Sequence, residues 1–150
     1  YVFVRPEARV LSREFIPPYE HDLFIWHGDY TVKVFKGSGA ISVRFWTSTA
    51  LEPGRYRFQV QVFPDLVVVY TADGDKVWAP DPLSGEVQLF TSVGGTDWIF
   101  PVFGARNSFG YEFSLDQGGI IRLGVALRGR WAIINNGWFL DDFSLVRQPG

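Results

Sequence analysis

The sequence predicts an all-β chain folded as a two-sheet antiparallel β-sandwich, most simply a jelly roll, with residues 1–150 forming one domain. Three observations carry this. Apolar and polar residues alternate with a period of two along most of the chain, and helical periodicity is almost absent. Residues that form turns separate the alternating stretches, in a chain with 16 Gly and 9 Pro. Finally, 47% of the 150 residues are hydrophobic and 17% aromatic, enough apolar material for a core of its own. With no helix to cover a sheet, two sheets must cover each other.

Taken in order, the strands are Thr31–Phe35, Ala40–Thr47, Gly54–Phe63, Leu66–Thr71, Glu86–Thr91, Ser108–Leu115, Gly119–Leu127 and Gly137–Val146. Gly37-Ser38-Gly39, Glu52-Pro53-Gly54, Asp73-Gly74-Asp75, Gly94-Gly95 and Asp116-Gln117-Gly118-Gly119 supply the turns, by tolerating positive φ or by pre-setting it. In the second strand Ile41, Val43 and Phe45 oppose Ser42, Arg44 and Trp46. In the third, Tyr56, Phe58, Val60 and Val62 oppose Arg55, Arg57, Gln59 and Gln61. Near the end Ile121, Leu123, Val125 and Leu127 oppose Arg122, Gly124 and Ala126. The first set of each is core, and the second faces outward. In the closing strand, alternation places Phe139, Asp141, Phe143 and Leu145 on one face. A carboxylate among apolar side chains needs a partner: a bound cation, or hydrogen bonds from a neighbouring loop.

Composition excludes several classes. The net charge is −2 and the basic residues form no run, so nucleic acid is not an expected partner. No apolar run reaches membrane-spanning length. The absence of cysteine excludes disulfides and thiolate metal sites. The chain opens on Tyr1 and contains no methionine, so it is expected to be a domain or mature fragment of a longer protein, read without its signal peptide.

Two groups of residues suit hydroxyl-rich ligands, which need flat apolar surface beside planar hydrogen-bonding groups. One is the polar strand face, with Arg44, Trp46, Arg57, Gln59 and Gln61. The other, and the preferred one because its segments are too elaborate for simple turns, is a loop edge, with Trp78, Asp81, Trp98, Arg130, Trp131, Asn135 and Asn136, where tryptophans stand beside charge, Pro or Gly. Each also admits a plainer reading, a solvated strand face or loops plugged by buried indoles. His21, Asp22 and His27 lie close in sequence without fixing a metal geometry. Asp73-Gly74-Asp75 reads as a hairpin turn. No nucleophile elbow, Ser-His-Asp pattern or phosphate loop is present. Glu86 and Glu112, each opposite the core residues of its strand, are the one pair worth testing as a glycosidase dyad. The adjacent Asp141 and Asp142 point to opposite faces and cannot form one.

Three stretches in order resemble jelly-roll carbohydrate-binding modules of the galactose-binding-domain-like superfamily. They are Gly28-Asp29-Tyr30-Thr31-Val32-Lys33-Val34, the turn Leu51-Glu52-Pro53-Gly54-Arg55-Tyr56-Arg57-Phe58, and the closing Gly137-Trp138-Phe139-Leu140-Asp141-Asp142-Phe143-Ser144-Leu145. The resemblance implies a secreted, monomeric module attached to other domains, binding oligo- or polysaccharide without turnover. It also implies a structural calcium held by the first Asp of the closing pair, Asp141, and by an early acidic residue. Arg13-Glu14-Phe15 is a loose stand-in for the usual opening motif, which makes Glu14 that early ligand. Residues 63–103 form a more elaborate segment than such modules need. The alternatives are a structural or adhesive domain of a surface or viral protein, or a glycosidase or lyase.

Overall fold

The computed structural model describes Phe3 and residues 5–149. Among the described residues ten strands make two antiparallel sheets: β1 (Glu7–Ser12), β2 (Tyr30–Lys36), β3 (Ile41–Leu51), β4 (Gly54–Tyr70), β5 (Lys76–Trp78), β6 (Glu86–Thr91), β7 (Gly94–Gly95), β8 (Asn107–Leu115), β9 (Gly119–Gly129) and β10 (Asn135–Arg147). One sheet runs β1-β2-β10-β4, with β8 and β5 both pairing β4 at different positions along it. The other runs β3-β9-β6-β7. Helix among the described residues is limited to three 3-10 turns and the single turn α1 (His21–Phe24). The architecture is the expected β-sandwich.

The inward residues of both sheets meet in one core. Ile41, Tyr56, Phe58, Val60, Val62, Val87, Leu89, Ile121, Leu123, Val125 and Leu127 belong to it, closed at one end by Leu66 and the fully buried Trp138. Each such side chain contributes about 1.5–3 kcal/mol relative to exposure. A smaller cluster lies on the opposite side of the six-stranded sheet. There Phe24 stacks on Phe139 at 3.6 Å and meets Phe63 edge-on at 5.0 Å, so the segment around α1 covers part of that sheet's outer face.

Three elements differ from expectation. The two strands expected at Gly54–Phe63 and Leu66–Thr71 are one strand, β4, running through Pro64. The Pro64 carbonyl accepts from the Gly104 N–H (2.9 Å) on the side where β8 has ended and β5 has not begun. The missing proline N–H faces that same gap and interrupts no ladder. Strand β1 was not legible, because EARVLS is an edge strand exposed over most of its length. In β10 a bulge falls between Asp141 and Ser144, with Asp142 in the left-handed region at φ +56°. The extra residues reset the alternation. Phe139 and Asp141 pair with Phe63 and Gln61 on the outer face, Leu145 pairs with Phe58 toward the core, and Phe143 is 47% exposed. The expected single face of Phe139, Asp141, Phe143 and Leu145 is therefore corrected.

Candidate functional site

Two outer faces result, pointing away from each other, and the expected strand-face group is divided between them. Arg44 and Trp46 stand on the four-stranded sheet, while Arg57, Gln59 and Gln61 stand on the six-stranded one. These residues do not form one site. On the six-stranded face the polar groups engage one another. Arg57 pairs with Glu112 (3.4 Å) and lies over Gly110, where a Cβ would come within 2.6 Å of it. The Gln61 amide donates to Asp142 Oδ2 (2.8 Å) and its oxygen accepts from Arg106 Nε. Gln59 lies between Gly110 and Ser144 in the ladders.

The four-stranded face is tiled with rings and guanidiniums. Trp46 is 54% exposed in the middle of β3, with the Arg122 guanidinium 4.0 Å from its ring centre. The register places Trp46, Gly124 and Phe90 in one row across β3, β9 and β6, and Arg44, Ala126 and Gln88 in the next. The small residues of the central strand let Arg44 reach across to the Phe90 ring, 5.2 Å away. Four residues along β9 from Gly124, Arg128 stacks on Trp98 at 4.1 Å. Beneath them Glu86, 1% exposed, accepts from Arg128 Nε (2.5 Å) and Arg130 (3.1 Å). Buried in this way, the carboxylate orients two guanidiniums while they satisfy its oxygens. Phe90, Gln88 and Arg128 are not among the sequence's candidate residues, and Arg122 is placed there only on the outward face of its strand. The signal that points to them is the pair of small residues, Gly124 and Ala126, on the outer face of a central strand.

The loop-edge residues divide in the same way. Trp98 and Arg130 join the four-stranded face through Glu86 and Arg128. Trp131 is 37% exposed just beyond β9. Trp78 belongs to the opposite side, where it packs edge-on to Phe63 (6.1 Å) and against Gly104, at which a Cβ would lie 2.1 Å from the indole. Asp81 caps the 3-10 turn Pro82–Ser84, its Oδ1 accepting from the Leu83 N–H (2.9 Å). Asn135 and Asn136 are buried and hold the fold together. Asn135 donates to the Asp65 carbonyl (2.7 Å), and Asn136 donates to the Gly39 carbonyl (2.9 Å) and accepts from the Trp138 indole (3.3 Å). The expectation that these two amides reach a ligand is corrected by that burial.

At Asp141 the structure places the hydrogen-bonded alternative. Its Oδ2 accepts the backbone N–H groups of Trp26 (2.8 Å) and His27 (3.0 Å), which ties the α1 segment to the closing strand. Donor hydrogens aimed at an oxygen are opposite in polarity to a cation shell. Glu14 is exposed on the turn Arg13–Phe15, and among the described residues no three His, Cys, Asp or Glu side chains gather as a metal site. The two N–H donors occupy Oδ2 of Asp141, one of the two carboxylate oxygens the expected calcium would use. The His21 ring has Nε2 at 2.7 Å from the Ile16 carbonyl, a local contact. Glu86 and Glu112 lie on opposite outer faces, so they cannot flank one glycosidic bond.

A cleft of about 390 Å³ opens between the sheets where β10 runs past the end of β2. Phe45, Phe58, Leu123, Phe143 and Leu145 line it, and Trp46 stands at its rim. Behind the outer face of the six-stranded sheet the Lys76 ammonium lies partly buried between Asp65 and Glu20. Burial opposes its charge, but the hydrogen bond and charge of Asp65 (2.8 Å), with Glu20 (3.5 Å), outweigh that and raise its pKa above the usual lysine value.

No family model and no curated protein matches this chain. Among solved structures it is similar to TmCBM61 in complex with β-1,4-galactotriose, at 17% identity and a TM-score of 0.55, over 94% of this chain and 88% of that one. It is also similar to the EclA C-terminal domain, described as a sugar-binding protein, at 13% identity and a TM-score of 0.48, over 87% of each chain. The first likeness establishes the fold, a β-sandwich of the type found in a carbohydrate-binding module.

Proposed function

We propose that this chain is a non-catalytic carbohydrate-binding module that holds an oligo- or polysaccharide on the outer face of its four-stranded sheet. The observation that carries the proposal is Trp46, a half-exposed indole in mid-strand with the Phe90 and Trp98 rings on the same face. The C–H face of a sugar ring packs on such rings, and the guanidinium edges between them suit its hydroxyls. On the six-stranded face Arg106 lies over the Trp26 ring (5.2 Å), but the polar groups beside it, Arg57 and Gln61, already engage Glu112, Asp142 and Arg106. The fold shared with a module that binds galactotriose supports the same reading.

Binding without turnover accords with the carboxylates. Glu86 is consumed by two guanidiniums, and Glu112 lies on the far side of the sandwich. Two or three stacking contacts at about 0.5–1.5 kcal/mol each, plus hydrogen bonds, give affinities on the order of micromolar to millimolar.

A glycan array followed by titration of variants tests the placement. Trp46→Ala should weaken binding roughly ten-fold with folding intact, a loss of about 1.4 kcal/mol. Trp78→Ala should lower the melting temperature and leave affinity unchanged. Loss of binding in Trp78→Ala or Trp131→Ala with full binding by Trp46→Ala would move the site to the loop edge. A folded protein that retains no glycan would favour a structural or adhesive domain.

A further inference from the structure

The charge on the four-stranded face is one-sided. Arg44, Arg122, Arg128 and Arg130 all project there, and the carboxylate among them, Glu86, is buried and already shared by Arg128 and Arg130. Arg44 and Arg122 are exposed, each lies on an aromatic ring, and neither has a carboxylate partner among the described residues. Elsewhere several exposed cations are paired: Arg57 with Glu112, Arg13 with Asp29 and Arg9 with Glu7. Lys33, Arg55, Arg106 and Arg147 also lack a carboxylate partner among the described residues; what sets Arg44 and Arg122 apart is that each lies on a ring of the row that holds the half-exposed Trp46.

We infer that the glycan held on this face is anionic, with its carboxylate or sulfate groups seated on Arg44 and Arg122 to either side of Trp46. This rests on the carbohydrate-binding reading above and names its substrate class. A guanidinium stacked on a ring presents its N–H edge outward, in the fork that matches a carboxylate or sulfate. By register Arg44 stands level with Ala126, four residues along β9 from Arg122, or about 13 Å at ~3.3 Å per residue. Both side chains lean inward from those positions onto the Trp46–Gly124–Phe90 row, Arg122 on the Trp46 ring and Arg44 on the Phe90 ring, which presents two guanidiniums to one stretch of glycan. Acidic residues on the far side of the sandwich do not oppose such binding, because the Debye length at physiological salt is about 8 Å.

Four probes test this: polygalacturonate, the same polymer with its carboxyl groups reduced to alcohols, a sulfated galactan and neutral β-1,4-galactan, each titrated at 50 and 500 mM NaCl. At least one acidic polymer should bind ten-fold or more tightly than the two neutral ones, and lose at least five-fold at high salt. The carboxylate and sulfate polymers separate the two sources of charge. Arg44→Gln and Arg122→Gln should each cost about five-fold. The double variant should bind acidic and neutral polymers alike, and Arg55→Gln, on the other sheet, should change nothing. Equal binding of neutral and acidic polymers, insensitive to salt and to both Arg→Gln changes yet lost in Trp46→Ala, would overturn the inference and leave the carbohydrate-binding reading standing. Failure of all four polymers to bind would sink both.

Discussion

Asp141 and the two asparagines before it illustrate how one residue type serves opposite ends. A carboxylate in an apolar strand announces that something must satisfy it, and alternation alone left a cation and backbone donors equally open. The structure supplies the donors, the N–H groups of Trp26 and His27, from a segment far away in sequence. Asp141→Ala should therefore cost about 1.5–3 kcal/mol, the worth of hydrogen bonds to a charged acceptor. That cost should be the same with and without a chelator, read as the shift in urea midpoint. A chelator that destabilises the wild type but not the variant would restore calcium to the site. Asn136→Ala should cost a similar ~1–3 kcal/mol by stranding the Trp138 indole N–H and the Gly39 carbonyl, with glycan affinity retained in the folded fraction. In the sequence Asn135-Asn136 looked like ligand-facing amides. Nothing local distinguishes an exposed amide from one that closes a core.

At the scale of elements, most strands were legible because their inward residues alternate strictly, as Tyr56, Phe58, Val60 and Val62 do in β4. What was not legible depends on neighbours in space. Pro64 ends no strand because its missing donor faces a gap, and the bulge at Asp142 turns Phe143 outward although the sequence pattern continues unbroken. Gly124 was counted simply as an outward residue, yet a Cβ there would lie 1.8 Å from the Phe45 carbonyl oxygen. Gly124→Ala should separate β3 from β9, destabilise by several kcal/mol (on the order of 2–4) and abolish binding on the adjacent face. Lys76 joins β5 to the segment around α1 through Asp65 and Glu20. Because its pKa is raised on folding, its contribution to stability is complete below the unfolded value of about 10.4. It is lost as pH rises through the higher folded value. Wild type and Lys76→Met should thus differ in stability by a constant amount from pH 7 to 9 and converge at higher pH. A difference that grows with alkalinity would contradict the pairing.

For the whole molecule, the sandwich follows from composition and period, but the site does not. Sequence alternation says which residues face outward without saying which of two outward faces they share. Arg44 and Trp46 were therefore grouped with Arg57, Gln59 and Gln61, which lie across the core from them. Only the sheet order β3-β9-β6-β7 brings Trp46, Phe90 and Trp98 onto one surface and leaves Trp78 on the other. That division is open to direct observation, because the six tryptophans give separate indole N–H resonances. Titration with the tightest-binding glycan, followed by two-dimensional NMR on assigned indole signals, should shift Trp46 and Trp98 while Trp78 and the fully buried Trp138 stay in place. Shifts confined to Trp78 or Trp131, with Trp46 unmoved at saturation, would contradict a carbohydrate site on the four-stranded face.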